Sequence, residues 1–384
     1  MGNYVQLLSA RVNLIASADT WIEGDAIAQL QNTAKLPGMH YVSGMPDLHP
    51  GRGYPVGAAF FSTEYIYPAL IGGDIGCGMA LWQTNLDTRK VSHSKLDKKI
   101  GNIDGPLCDE AQGEEWQALI ASQLPAEIGF RPALGTIGGG NHFAELQCFD
   151  EIHDVEAFAA LGLNKAQLQL LVHSGSRGLG QHILRQHIDQ HGHQGLLADS
   201  NECRAYLAEH DQAVRFAEVN RLLIAQRILA KLGTDGAQIL DVNHNLVLPA
   251  QMHGQPGWIH RKGATPADQG AVVIPGSRGD YSYLVQPMAS DLSLQSLAHG
   301  AGRKWMRSEC KGRLSSRYTV AQLSRTKLGS QVICADRVLI YEEAPEAYKP
   351  ASNIIATLVG AGLVNVIARL KPVLTYKTRG ECCE

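Results

Sequence analysis

Residues 167–178 read Gln-Leu-Gln-Leu-Leu-Val-His-Ser-Gly-Ser-Arg-Gly. An apolar run of strand length, stopped by a histidine and a glycine-serine turn, is the pattern of a buried strand delivering polar side chains into a loop. The pattern returns at 238–242, which runs directly into Asn243-His244-Asn245. Between the two lies a segment of another character. Over residues 199–232, Val214, Ala217, Leu222, Ala225 and Leu229 are spaced for one buried helical face, and Gly233 supplies the stop. Helices are also expected over 24–36, over 109–124 with acidic residues in the first turn, and over 354–370 behind an Asn353 cap. Residues 271–274 and 331–340 read as further strands. Strands and helices do not alternate regularly, so a doubly wound parallel sheet is not indicated. The expectation is a mixed α+β fold, one large domain over residues 1–384 with mixed sheets and flanking helices.

Composition bounds the function. The chain has 384 residues, 45% hydrophobic and only 18% charged, which excludes disorder, coiled coil and fibre. Its 40 glycines follow no collagen-like period and point to tight turns and close backbone approaches. Eight cysteines are too sparse for a disulfide scaffold, and the adjacent Cys382 and Cys383 suit a reducing compartment. The first residues show no basic region followed by an apolar one, and the apolar stretch 354–368 falls short of the ~20 residues that span a bilayer. A cytoplasmic protein without a membrane partner is expected.

The chemistry-bearing residues cluster in glycine loops. Pro46-Asp47-Leu48-His49-Pro50-Gly51 is the first cluster and Gly72-Gly73-Asp74-Ile75-Gly76-Cys77-Gly78 the second. Gly138-Gly139-Gly140-Asn141-His142-Phe143-Ala144-Glu145 follows, then His173 through Gly178, and then Asp241 through Asn245. Taken alone, the second cluster is more simply a turn carrying a buried cysteine. Three loop histidines added to Asp74 and Cys77 change that reading. Such a set suits Mn, Fe, Co or Zn, and five ligands exceed one tetrahedral site. Two metals sharing the thiolate would use them all.

Two more loops, Ile274-Pro275-Gly276-Ser277-Arg278-Gly279 and His299-Gly300-Ala301-Gly302-Arg303, have the composition that holds phosphates. His260-Arg261-Lys262-Gly263 precedes them. The dense histidines His182, His187, His191 and His193 lack an accompanying acid or cysteine motif and read as a solvated helix face. The net charge of −3 gives no global signature, yet residues 303–327 carry eight Lys and Arg against one Glu. Directly after a phosphate-type loop, that excess reads as a polyanion track.

In order and together, Gly73-Asp74-Ile75-Gly76-Cys77-Gly78, Gly139-Gly140-Asn141-His142-Phe143, His173-Ser174-Gly175-Ser176-Arg177-Gly178, His244-Asn245, His260-Arg261-Lys262-Gly263-Ala264, Pro275-Gly276-Ser277 and His299-Gly300-Ala301-Gly302-Arg303 resemble the RtcB family of RNA-splicing ligases. The resemblance runs collinearly from about Pro46 to the tail. It implies an enzyme that joins an RNA 3′-phosphate or 2′,3′-cyclic phosphate to a 5′-hydroxyl with GTP and Mn²⁺, through a guanylylated histidine at His299. It implies two Mn²⁺ ions, one near Asp74, Cys77 and His142, the other near Cys77, His173 and His244. Carried over residue by residue, the GTP site comprises Asn141, His142, Phe143, Ala144, Glu145, His244, Asn245, Pro275, Gly276, Ser277, Arg278 and Ser282. It continues with His299, Gly300, Ala301, Gly302, Tyr348 and Lys377, while Arg177 and Arg303 would hold RNA phosphates.

The chain departs from the family pattern at Arg278, where Met is usual, at Asp280-Tyr281, and at Leu297-Ala298 before His299. These departures suggest a divergent bacterial branch associated with a peptide-release-factor homologue. A dinuclear metallo-phosphoesterase acting on RNA ends is the rival reading; it would keep the Asp, Cys and His ligands without needing His299, Tyr348 or Lys377. A non-catalytic RNA-binding module would need none of the ligands.

Overall fold

The computed structural model describes residues 4–107 and 113–380. Two large sheets organise them. One has six strands in the order Val5–Ser9, Val12–Ile15, Met39–His49, Val56–Ser62, Gln255–Lys262, Asn245–Met252. The other has eight. Its main path runs Gly236–Asn243, Gly78–Asp87, Gln167–Ser174, Phe143–Ile152, Val364–Thr378, Ser282–Pro287, Val272–Ile274, and Gln331–Cys334 pairs parallel to Val364–Thr378. Helices and sheets are mixed without regular alternation, the α+β arrangement expected.

The helix Asn201–Leu232 is capped by the Ser200 side chain and ended by Gly233 in the left-handed conformation. The spacing in the sequence predicted one buried face. Its second half is instead buried almost all round, because it lies against the Gly78–Asp87 and Gln167–Ser174 strands as well as neighbouring helices. Three polar residues, Asn220, Arg221 and Arg227, are buried there.

Two expectations fail locally. The helix begins at Ala351, with Pro350 rather than Asn353 at its cap, and stops at Gly360. Gly362 then takes φ +70°, and Val364–Thr378 becomes a strand in the middle of the larger sheet. Its apolar, β-branched start is ambiguous in a short window, and pairing on both edges decides for strand. Similarly, only Gln331–Cys334 of the 331–340 run is strand, and Leu339–Glu342 is a helical turn. The helix expected from 109 is seen as Gly113–Gln123; Asp109 and the Cys382-Cys383 tail lie outside the described residues. Among the described residues, no helix is long and apolar enough to cross a membrane.

Candidate active site

Four strands of the larger sheet, Gly236–Asn243, Gly78–Asp87, Gln167–Ser174 and Phe143–Ile152, lie side by side, each antiparallel to the next. Alternating direction places two carboxyl ends and two amino ends on one edge. That edge therefore gathers His244, Cys77, His173 and His142, residues scattered over much of the sequence. His244 is also the single residue between Gly236–Asn243 in one sheet and Asn245–Met252 in the other. Its backbone N–H donates to Cys77 O at 2.8 Å, which ties the junction to the cysteine loop.

The side chains converge. Cys77 Sγ lies 3.1 Å from His173 Nε2 and 3.4 Å from His142 Nε2, and His142 Nε2 lies 2.8 Å from Asp74 Oδ2. Two groups share the sulfur, Asp74–Cys77–His142 and Cys77–His173–His244, and within each the donor atoms lie within 4.8 Å of one another. This is the division the resemblance implied. His173 Nδ1 sits 3.2 Å from Asn141 O, which fixes the ring with Nε2 toward the sulfur. The Nδ1 atoms of His142 and His244 are buried without a hydrogen-bond partner. Burial, helped by the neighbouring imidazoles, holds His173 and His244 well below the ordinary histidine range. Burial, then the Asp74 carboxylate, pushes the Cys77 thiol well up. Neutral imidazoles at His173 and His244, and a thiol whose proton a bound cation would displace, fit a pair of divalent metal ions.

His299 closes the other side. It follows the short strand Ser296–Ala298, and its Nδ1 lies 2.7 Å from Oδ2 of fully buried Asp47. The same oxygen accepts the His299 backbone N–H at 3.3 Å. The His299 ring centroid is 4.9 Å from that of His244, which puts the loop histidine beside the sulfur-centred cluster. Gly302, at φ +71°, is required here because a Cβ would collide with the Asp47 backbone.

Between these groups opens a cleft of about 840 Å³, large enough for a nucleotide. It takes in 275–278 and 299–302 together with Asn141, Phe143, Glu145, Asn245, Tyr348 and Lys377. Of the remaining residues named from the sequence, Ala144 and Ser282 are buried behind the lining, and Arg177 packs its guanidinium onto Gly138. Ser282 Oγ accepts from Gln147 at 2.9 Å.

Glu343, which no motif announced, is the hub of the far wall. Burial alone would raise its carboxyl, but Lys377, Arg307 and Arg303, with the Tyr348 hydroxyl, hold it down at about 2. Tyr348 donates to it at 2.5 Å, and Arg303 Nη1 at 3.1 Å. Lys377 donates to Gly140 O at 2.7 Å, and burial lowers its pKa to about 8. Burial pushes Glu145 up to about 7 against hydrogen bonds from Thr375 and Gln147. Arg278 is buried in the same wall; one nitrogen donates to Ile340 O at 2.8 Å, and its Nε and Nη1 have no protein partner.

Other motif residues turn out to be structural. His260 Nε2 accepts the Tyr67 N–H at 2.9 Å, and Arg261 donates to Ser296 Oγ and Gln295 O. Asp280 accepts from Ala351 N at 2.8 Å at the start of the Ala351–Gly360 helix, and Tyr281 lies under the Arg369 guanidinium. His187 is not solvated as expected: it is buried against His191 and Tyr206. Asp47 was visible as part of a glycine cluster, but nothing in the chain order linked it to His299.

The family model described as tRNA-splicing ligase RtcB matches residues 29–126 and 108–378. The chain is 57% identical to an RNA-splicing ligase RtcB2 of Escherichia coli, covering 99% of both chains. It is 30% identical to a tRNA-splicing ligase RtcB of Archaeoglobus fulgidus, over 92% of this chain and 91% of that one. A protein of the same description from Nanoarchaeum equitans is also 30% identical, over 92% of each. With the collinear motifs gathered around one cleft and relatives matching nearly end to end, the chain belongs to the RtcB family.

Proposed function

We propose that this chain, acting as one domain over residues 1–384, is a GTP- and Mn²⁺-dependent RNA ligase. It joins RNA 3′-phosphate or 2′,3′-cyclic phosphate ends to 5′-hydroxyl ends, in repair or splicing within the cytoplasm. The observation that carries the reading is the Asp47–His299 pair, 2.7 Å apart, set beside the sulfur-centred cluster in a nucleotide-sized cleft. Asp47 sits against Nδ1 at ion-pair distance though outside hydrogen-bond geometry, which favours the proton on Nδ1 and leaves Nε2 as the nucleophilic lone pair. His299 Nε2 attacks the α-phosphorus of GTP, and the bond to pyrophosphate breaks. A 2′,3′-cyclic end is first opened by water to the 3′-phosphate; an oxygen of that phosphate then takes the guanylyl group from the histidine, and the 5′-hydroxyl attacks the activated phosphate and expels GMP.

Asp74, Cys77, His142, His173 and His244 would hold the two Mn²⁺ ions, which when bound stabilise charge on phosphoryl oxygens. Glu145, Ser277, Arg278, Tyr348 and Lys377 form the nucleotide wall and Arg177 serves the RNA phosphates, whereas Arg303 braces the wall, its guanidinium taken up by Trp305, Glu343, Tyr348, Cys310 and Glu342. Pairing with a peptide-release-factor homologue rests on the departures at Arg278 and Leu297-Ala298. A hydrolytic phosphoesterase using the same carboxylate-held histidine as a general acid would form no guanylyl adduct on it.

Incubation with GTP and Mn²⁺ should add one acid-labile guanylyl group to the intact mass, absent in His299→Ala. An adduct on another residue, or ATP serving as well as GTP, would overturn the assignment.

A further inference from the structure

Arg221 lies at the middle of the long helix Asn201–Leu232 and is fully buried. Its guanidinium is spent on four acceptors. Nε donates to Asp241 Oδ1 at 2.6 Å, Nη1 to Gly76 O at 2.7 Å and to Ser174 O at 3.0 Å, and Nη2 to Asn243 Oδ1 at 2.6 Å. Three of these acceptors are chain neighbours of candidate metal ligands: Gly76 precedes Cys77, Ser174 follows His173, and Asn243 precedes His244. One rigid, planar fork thus touches the backbone or side chain beside every member of the Cys77–His173–His244 group. The adjoining residues reinforce it. Asn220 donates to Ser174 Oγ at 3.0 Å and to Gly175 O at 3.2 Å, and Glu218 accepts from Asn243 at 3.0 Å. The approach is close as well as polar, since a Cβ on Gly78 would stand 3.0 Å from Arg221 Nη1.

We propose that Arg221 is a positioning residue that sets the spacing of Cys77, His173 and His244 for a divalent metal ion, an inference resting on the metal reading of that group. Three separate segments have to be held at fixed separation, and a planar cation with several divergent donors does what a lysine ammonium cannot. The role is distinct from simple burial of a charge. Arg227, further along the same helix, is also buried and donates to the carbonyls of Ile103, Gly105 and Gly135, none of them beside a member of this group.

The test is a Co²⁺ titration of the full chain, followed by the thiolate-to-cobalt charge-transfer absorption. Wild type should show the band and Cys77→Ala should lose it; a wild type without it refutes the metal reading itself. Given the band, Arg221→Lys should bind Co²⁺ ~10–100-fold more weakly while keeping its far-ultraviolet circular dichroism, the range expected when a group that orients ligands is lost. Arg227→Lys should lose thermal stability yet hold Co²⁺ as wild type does. Should Arg221→Lys not fold, Asn243→Ala, which removes a single arm of the clamp, should still weaken Co²⁺ measurably. Unchanged affinity in the Arg221 or Asn243 variant, or an equal loss in Arg227→Lys, would overturn the proposal.

Discussion

Asp47 shows what a single side chain contributes here. It is fully buried, it faces His299 Nδ1, and it accepts the His299 backbone N–H. Replacing the carboxylate by an amide keeps the shape but removes the charge that fixes the imidazole tautomer. Asp47→Asn should therefore slow guanylylation of His299 by about 10²-fold or more, the scale of a proton-handling partner, with GTP binding little changed. Single-turnover adduct formation measures the first quantity, and equilibrium binding in a His299→Ala background the second. An Asp47→Asn protein that guanylylates at the wild-type rate would reduce the pair to a structural contact. The candidate ligands the structure brings together were legible in the sequence, because Asp74, Cys77, His142, His173 and His244 each stand in a glycine or polar loop. Asp47 and Glu343 were not. Their meaning comes only from what the folded chain sets opposite them, and no local pattern encodes that.

Among the elements, the basic run 303–327 divides in two once folded. Lys304 and Arg307 line the cleft, and Arg303 is held by Glu343 and Tyr348. Beyond them the helix Arg307–Leu314 and the turn after it present Arg313, packed over Trp305, and exposed Arg317, packed over Tyr318. Basic groups on aromatic supports suit a single-stranded polyanion. Neutralising Arg313 and Arg317 together should weaken RNA binding and flatten its dependence on salt, by a log–log slope of about 0.7 per lost phosphate contact. The His299 adduct should form normally in that variant, since guanylylation needs no RNA. An unchanged salt slope would return these arginines to the role of ordinary solvated surface. The strands read at 167–172 and 238–242 and the helix read from about 199 follow from periodicity and end signals, and they fold as Gln167–Ser174, Gly236–Asn243 and Asn201–Leu232. The 354–370 stretch was not, since its apolar residues satisfy a buried helix and a central strand equally until the neighbouring strands supply the partners.

For the molecule as a whole, acid should act through histidines that folding keeps neutral. His260 is the clearest, wholly buried, accepting the Tyr67 N–H, and lowered by burial to about 3. A histidine lowered in the folded state contributes stability that is fully present above its free value near 6.5 and is lost as pH falls toward the folded one. Between pH 7 and 5 that single group should remove about 2 kcal/mol. His260→Gln keeps an acceptor without a proton to gain, so its urea midpoint should fall less than that of wild type over the same interval. Equal slopes would mean that other groups govern acid unfolding.

The one-residue joint at His244 carries a last consequence, for how such a chain can change over time. Loops at the periphery accept added or deleted residues, because no pairing spans them. Nothing of the sort is open between Asn243 and Asn245. One inserted residue there would have to bulge out at the joint or slip one of the two strands by a residue, exchanging inward for outward faces along that strand. It would also carry the imidazole away from Cys77. Substitution at this joint is costly and a change of length more so, so the interval should behave as a fixed ruler however far the surrounding surface drifts.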